Sequence, residues 1–205
     1  MADYSKLDHL SLKAQKEGYP ARSVYKLKEM DEKFGLLPKG RSSFKVLDLG
    51  AAPGSWSLYV LRKLKSVSLV SVDLSPLSRQ FDEGLFERPD FFFAQGDFTQ
   101  SEVREAILAR QPYNLVVSDA APATSGNRSL DTLRSLDLAE IALDYAENAL
   151  AEGGNFVVKV FQGGGTEDFL KKIRSLFKTG KSFKPTACRP GSFETYYLGL
   201  EKLKG

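Results

Sequence analysis

The sequence predicts an α/β fold built on one mostly parallel sheet, with helices on both faces. Three observations carry that prediction. From Lys45 onward, short β-branched or aliphatic runs alternate with longer segments of helical period, the pattern of repeated βαβ units. The apolar run Val46 to Leu49 ends in Gly50-Ala51-Ala52-Pro53-Gly54 and then opens a helix at Ser55-Trp56, the strand–turn–helix unit on which doubly wound sheets bind ligands. Three successive predicted strands also end at, or just before, an aspartate: Asp48, Asp73 and Asp97.

The elements follow in order. Ser5–Gly18 and Ser23–Phe34 read as two helices, punctuated by Pro20 and by the turn Leu37-Pro38-Lys39-Gly40. Strands are expected at Lys45–Leu49, Leu69–Asp73, Phe91–Gln95, Asn114–Ser118, Asn155–Val160 and Glu194–Leu200, with a seventh near Ser182–Ala187. Helices are expected at Ser55–Leu64, Ser101–Ala109, Asp131–Leu150 and Glu167–Phe177. The third of these carries Leu133, Leu136, Ile141, Leu143, Tyr145 and Leu150 among polar neighbours, so it reads as a surface helix with one buried face that Gly153-Gly154 stops. At 205 residues a single domain spanning 1–205 is expected. Its N-terminal helical extension, 1–40, is too small for its own core and should pack on the remainder, 41–205.

Composition narrows the chemistry. Hydrophobic residues make up 42% and charged residues 27% of the chain, as in ordinary soluble globular proteins. No apolar run is long enough to span a bilayer and the charged N-terminus lacks a signal core, so a cytoplasmic, membrane-free protein is expected. The one cysteine, Cys188, and the one histidine, His9, argue against a disulfide, a metal site and a Ser/His/Asp triad. Net charge is +3, but residues 1–45 carry +4, residues 171–205 carry +7, and the middle carries −8. The basic ends read either as solvated faces or as a surface for a polyanion such as nucleic acid.

The turn after the first strand has the spacing G-x-x-x-G. That is not the G-x-G-x-x-G of a pyrophosphate cradle, and no Gly-Lys-Ser/Thr follows to make a P-loop. Gly50 and Gly54 permit a tight turn and close backbone approach to a ligand. Acidic groups at strand ends suit a cofactor without phosphate that carries an ammonium, a sulfonium and a ribose, and Asp73 stands where an acid that hydrogen-bonds a ribose is expected. Each aspartate alone reads more readily as a helix cap or turn residue, and it is the three on consecutive strands that point to a cofactor. Trp56 alone reads more readily as core.

These segments resemble the FtsJ/RrmJ family of S-adenosylmethionine-dependent ribosomal RNA ribose 2′-O-methyltransferases. The resemblance rests on Asp48 to Trp56, Ser118-Asp119-Ala120-Ala121-Pro122 with Ser125-Gly126, Arg22 to Leu27, Val157 to Gly163, and Arg189 to Tyr196, in the family's order and spacing along nearly the whole chain. It implies a Rossmann-like class I methyltransferase fold with a seven-stranded sheet. It also implies a catalytic tetrad on Lys26, Asp119, Lys159 and Glu194, and S-adenosyl-L-methionine, without metal, held by Asp48, Gly50, Gly54, Trp56, Asp73, Asp97, Phe98 and Asp119. Taken singly, Lys26 is a surface helix charge, Asp119 a turn residue and Glu194 an exposed strand residue. Lys159 differs, because it sits inside the apolar run Phe156 to Phe161, where a lysine is costly to bury without a partner or a shifted pKa.

On this reading Lys159, kept neutral by desolvation and the charge of Lys26, accepts the hydroxyl proton, while Asp119 and Glu194 fix the geometry and Lys26 stabilises developing charge. Base-carbon methylation would need a positioned cysteine, and Cys188 lies far in sequence from the cofactor strands. Exocyclic-amine methylation would need an aromatic after a Pro-Pro pair, where the chain has Ala120-Ala121-Pro122-Ala123. The expected substrate is a uridine of ribosomal RNA in the large subunit, bound by a monomer, with Lys13, Lys16, Arg22, Lys171, Lys172, Lys181, Lys184 and Arg189 available for phosphates. The alternatives are 2′-O-methylation of a tRNA anticodon loop, and a non-catalytic cofactor-binding factor for ribosome assembly.

Overall fold

The computed structural model describes residues 8–38, 40 and 43–204. Seven strands form one sheet in the order β3-β2-β1-β4-β5-β7-β6. They are β1 (Phe44–Leu49), β2 (Val67–Asp73), β3 (Phe91–Gln95), β4 (Tyr113–Ser118), β5 (Leu150–Phe161), β6 (Phe177–Phe183) and β7 (Glu194–Lys202). β7 runs antiparallel between β5 and β6, and the remaining pairs are parallel. The strand order reverses between β1 and β4, and such a switch point opens a crevice at the strands' carboxyl ends.

The helices are α1 (His9–Lys16), α2 (Val24–Phe34), α3 (Ser55–Lys63), α4 (Ser101–Leu108), α5 (Arg128–Ala149) and α6 (Thr166–Leu176). Alternate residues of each central strand feed two cores. Leu47, Val116, Phe156 and Val158 pack with α4, α5 and α6 on one face, whereas Val46, Val117, Val157 and Leu198 pack with α2 and α3 on the other. α2 reaches the second core through Leu27 and Met30. It is pinned there by the buried Asp31 carboxylate, which accepts from Leu37 N at 2.9 Å, from the Tyr59 hydroxyl at 2.7 Å, and from Lys63. Among the described residues no helix is long and apolar enough to cross a membrane.

Most boundaries lie within two residues of the sequence reading, and four elements differ in ways that matter. The first helix begins at His9, capped by Asp8, whose side chain accepts from Ser11 N, and it ends at Lys16; Ser5–Leu7 lie outside the described residues. The seventh strand is β6 at Phe177–Phe183, not Ser182–Ala187, because its pairing with β7 starts at Phe177↔Lys202. β5 begins at Leu150, five residues before the expected start. Gly153-Gly154 lie inside it, at the register shift between the Tyr113↔Leu150 and Leu115↔Asn155 pairs, and Gly153 takes φ +72° there. The glycines thus make a bulge in a strand rather than stop a helix.

α5 begins at Arg128, where Asn127 accepts from the Ser129 and Leu130 amides. Leu133 of α5 is 56% exposed, and much of the face against the sheet is formed by Ala139, Ala142, Ala146 and Ala149, with Leu143 and Tyr145. Small residues let this long helix lie close on β4 and β5. Counting large side chains therefore misplaced part of its buried face.

Candidate active site

Strand alternation gathers one set of side chains at the sheet's carboxyl edge. Val117 of β4 points to the α2–α3 face, and Asp119, two residues on, follows the same parity. Val157 of β5 points the same way, and so does Lys159. β7 enters antiparallel with Phe161↔Glu194 and Lys159↔Tyr196 in register, which sets Glu194 and Tyr196 beside Lys159. α2 covers this face and presents Lys26 to it. Three strands and a helix separated by up to 168 positions in sequence thus converge.

The four predicted catalytic residues form two ion pairs. Lys26 Nζ lies 2.9 Å from Glu194 Oε2, and Lys159 Nζ lies 3.1 Å from Asp119 Oδ1 while also donating to the Asp119 carbonyl. Lys26 and Lys159 are only 9% and 8% exposed, so each ammonium depends on its carboxylate partner. A fifth member, Tyr196, was absent from the sequence reading. Its fully buried hydroxyl donates to Asp119 Oδ1 at 2.6 Å, and its ring lies 5.8 Å under Lys26 Nζ and 6.0 Å from the Trp56 ring. Only the register of β7 against β5 identifies it, since a tyrosine in an apolar strand carries no signal of its own.

The charges are mutually tuned. Burial alone would lift the Asp119 carboxyl, but Lys159 and Lys26, helped by the Tyr196 hydroxyl, hold it below the usual carboxylate range. Burial pulls the Lys26 ammonium down, yet Asp119 and Glu194 outweigh it and raise its pKa, so Lys26 stays cationic. Cys188, far in sequence from the cofactor strands, sits beside Glu194 and Lys26. Burial, with Glu194 adding to it, pushes its thiol up to about 12. A thiol so protonated is no nucleophile.

Two cavities are lined in part by members of this cluster. One, of about 620 Å³, lies at the carboxyl ends of the parallel strands and is lined by Gly50, Ala52, Asp73, Asp97, Phe98 and Asp119, with Arg134 and Asp137 from α5. The other, of about 540 Å³, is lined by Arg22, Lys26, Phe161, Arg189, Phe193 and Glu194 among others. Asp119 therefore faces the first cavity, and Lys26 and Glu194 face the second.

Of the predicted cofactor residues, the strand-end cavity collects Gly50, Asp73, Asp97, Phe98 and Asp119. Asp73 accepts from Ala52 N at 2.9 Å and from Ser75 N at 2.8 Å, and Asp97 accepts from Thr99 N. Gly50 is required by close approach: a Cβ there would stand 2.6 Å from Ala120 Cα, and its φ is +76°. Asp48, Gly54 and Trp56 do not line the cavity. Gly54 leads into α3 beside Phe86. Trp56 is buried, with its indole N–H donating to Ser23 O at 2.8 Å, so it joins α3 to the chain before α2. Asp48 is fully buried beneath the loop, accepting from the Ser57 hydroxyl at 2.7 Å.

The donor set decides what the strand-end cavity suits. Asp73, Asp97 and Asp137, with Asp119 already paired to Lys159, stand against Arg134 among the lining residues, which favours a cationic ligand over a phosphorylated one. An ammonium and a sulfonium fit that field, and Phe98 offers an apolar wall to a planar ring. The cavity lies within the size range of small-molecule and cofactor sites.

The family model described as FtsJ-like methyltransferase matches residues 19–202. The chain is 52% identical over 200 residues to the ribosomal RNA large subunit methyltransferase E of Treponema denticola, covering 97% of this chain and 96% of that protein. It is 43% identical over 201 residues to the Borrelia duttonii protein of the same name, covering 98% and 99%. Among solved structures it is similar to a Plasmodium falciparum protein described as a ribosomal RNA methyltransferase, with TM-score 0.74 and 25% identity over 91% of this chain and 100% of that one.

Proposed function

Because this chain belongs to the FtsJ-like methyltransferase family, we propose that it transfers a methyl group from S-adenosylmethionine to a ribose 2′-hydroxyl of ribosomal RNA, at a uridine of the large subunit. The observation that carries this reading is that the tetrad lies beside two cavities, with Asp119 lining the acidic strand-end one, Lys26 and Glu194 lining the basic one, and Lys159 buried against Asp119. The names of the Treponema and Borrelia relatives support the RNA. It acts as a monomer in the cytoplasm, where large subunits are assembled.

The cofactor supplies an electrophilic methyl on sulfur, already activated for in-line displacement. The residues for it are Gly50, Asp73, Asp97, Phe98 and Asp119, with Asp48 supporting the loop from below. A ribose hydroxyl is a weak nucleophile, so the protein must orient it and remove its proton. Lys159 is placed to receive that proton once its ammonium has given one up to solvent, and its Nζ is held by the Asp119 carboxylate and carbonyl while Tyr196 fixes Asp119. Lys26, kept cationic by its carboxylate neighbours, holds the nucleotide with Glu194 and stabilises charge that develops on the attacking oxygen. Much of the rate comes from alignment, because the ion pairs leave these groups few orientations.

Labelled S-adenosylmethionine is offered with large subunits lacking the modification, with free ribosomal RNA and with tRNA, and the product nucleosides are identified. Wild type is expected to yield 2′-O-methyluridine in the subunit. Lys159→Ala is expected to lose about 10²- to 10⁴-fold in rate, the usual contribution of a positioned acid or base, with cofactor binding retained. Cofactor binding without transfer to any RNA would overturn the enzyme reading in favour of an assembly factor. Transfer to tRNA alone would overturn the substrate.

A further inference from the structure

We infer that Phe193 is the stacking platform for the base of the acceptor nucleotide. This deepens the proposed function and rests on it. Lys159 is 8% exposed, so a ribose hydroxyl must enter the cavity beside it, and a nucleotide extruded from its stack enters most readily but loses its stacking partners. Proteins that take unstacked RNA bases commonly offer an aromatic face in exchange. The cavity on the Lys26–Glu194 side has such a face in the right place. Phe193 precedes Glu194 in the chain, lines that cavity, and is only partly buried.

The ring is also held still. Its carbonyl accepts from Gln162 N at 2.8 Å, which ties the residue to the end of β5. Phe161, 9% exposed, packs against it with ring centroids 4.7 Å apart at 57°. The Arg128 guanidinium lies 5.2 Å from the Phe193 centroid. Arg128 lines the hollow around Thr132 and Gly163 and not the cavity that Phe193 lines, and its cation–π contact braces the ring. Lys26 and Arg22 line the same cavity, so an aromatic wall stands beside two cations, paired with Glu194 and Asp8, whose charge a phosphate would share. That is the chemistry of one nucleotide.

The test measures methyl transfer to unmodified large subunits by wild type and by Phe193→Ala, Phe193→Leu and Phe193→Tyr. S-adenosylhomocysteine affinity and thermal midpoint are measured for each. Base–aromatic stacking contributes about 1–3 kcal/mol per base, so Phe193→Ala is expected to lose roughly 5- to 150-fold in kcat/KM. Phe193→Leu, which keeps apolar volume without the π-face, should show most of that loss. Phe193→Tyr should stay within about threefold of wild type, and cofactor affinity and midpoint should not move. Phe193→Leu with wild-type kcat/KM would overturn the platform, and so would a loss matched by weakened cofactor binding or a lowered midpoint. Absence of transfer by wild type would instead sink the proposed function.

Discussion

Asp48 shows how much one buried carboxyl is changed by its position. It is fully enclosed, its Oδ2 accepts from Ser57, and its Oδ1 has no partner among the described residues. Burial, partly relieved by the Ser57 hydroxyl, pushes its pKa from 3.8 up to about 7, with Asp119 and Asp73 adding to the rise. A folded-state pKa above the unfolded value means that between about pH 4 and 7 the folded chain holds a proton the unfolded chain has lost. Asp48 therefore makes stability fall as pH rises through that window. Asp48→Asn is expected to unfold at higher urea than wild type at pH 8, by a few kcal/mol at most, with the gap closing toward pH 4. A gap that does not change with pH would refute the shifted carboxyl.

At the scale of elements, the loop after β1 and the loop after β4 approach each other until no side chain fits between them. Gly50→Ala would drive a methyl to 2.6 Å from Ala120 Cα while forcing φ +76° on an L residue. Backbone must then move, at a cost of roughly 1–3 kcal/mol for overpacking. The expected result is at least tenfold weaker S-adenosylhomocysteine binding by calorimetry with a lowered thermal midpoint, because this loop floors the strand-end cavity. Unchanged affinity would place the ligand elsewhere. β5 and β7 make the second decisive contact, since their antiparallel register brings Tyr196 and Glu194 to Lys159. A slip of one residue would turn both away from it.

Across the whole molecule, folding joins two basic ends that the sequence keeps apart. Glu29 of α2 accepts from Thr186 N, Thr186 Oγ1 and Ala187 N at 2.7–2.9 Å, and Arg22 donates to the Ala187 carbonyl at 2.7 Å. The N-terminal helices and the β6–β7 loop thus form one wall beside the tetrad. If the wall holds phosphates as proposed, RNA affinity falls steeply with salt. Arg189→Ala is expected to reduce the slope of log K against log salt by about one in large-subunit RNA binding. An unchanged slope would return Arg189 to the role of a solvated surface charge.

Most of the architecture was legible because strands and helices announce themselves by local periodicity, and the strand-end aspartates and the lysine inside an apolar run stood out against their neighbours. β6 was misplaced because pairing with β7, not its own composition, sets its bounds. The α5 face was misread because alanines pack closely without a strong apolar signal. Thus the chain by itself determined the α/β order, the small-residue turn and the residue types available for chemistry, all properties of short segments. The sharing of Asp119 by Lys159 and Tyr196, the burial of Asp48 below the loop, the approach of Cys188 to Glu194 and the Phe193 wall were decided only by tertiary structure. They depend on strand parity, register and helix docking, which bring together groups as far as 168 positions apart.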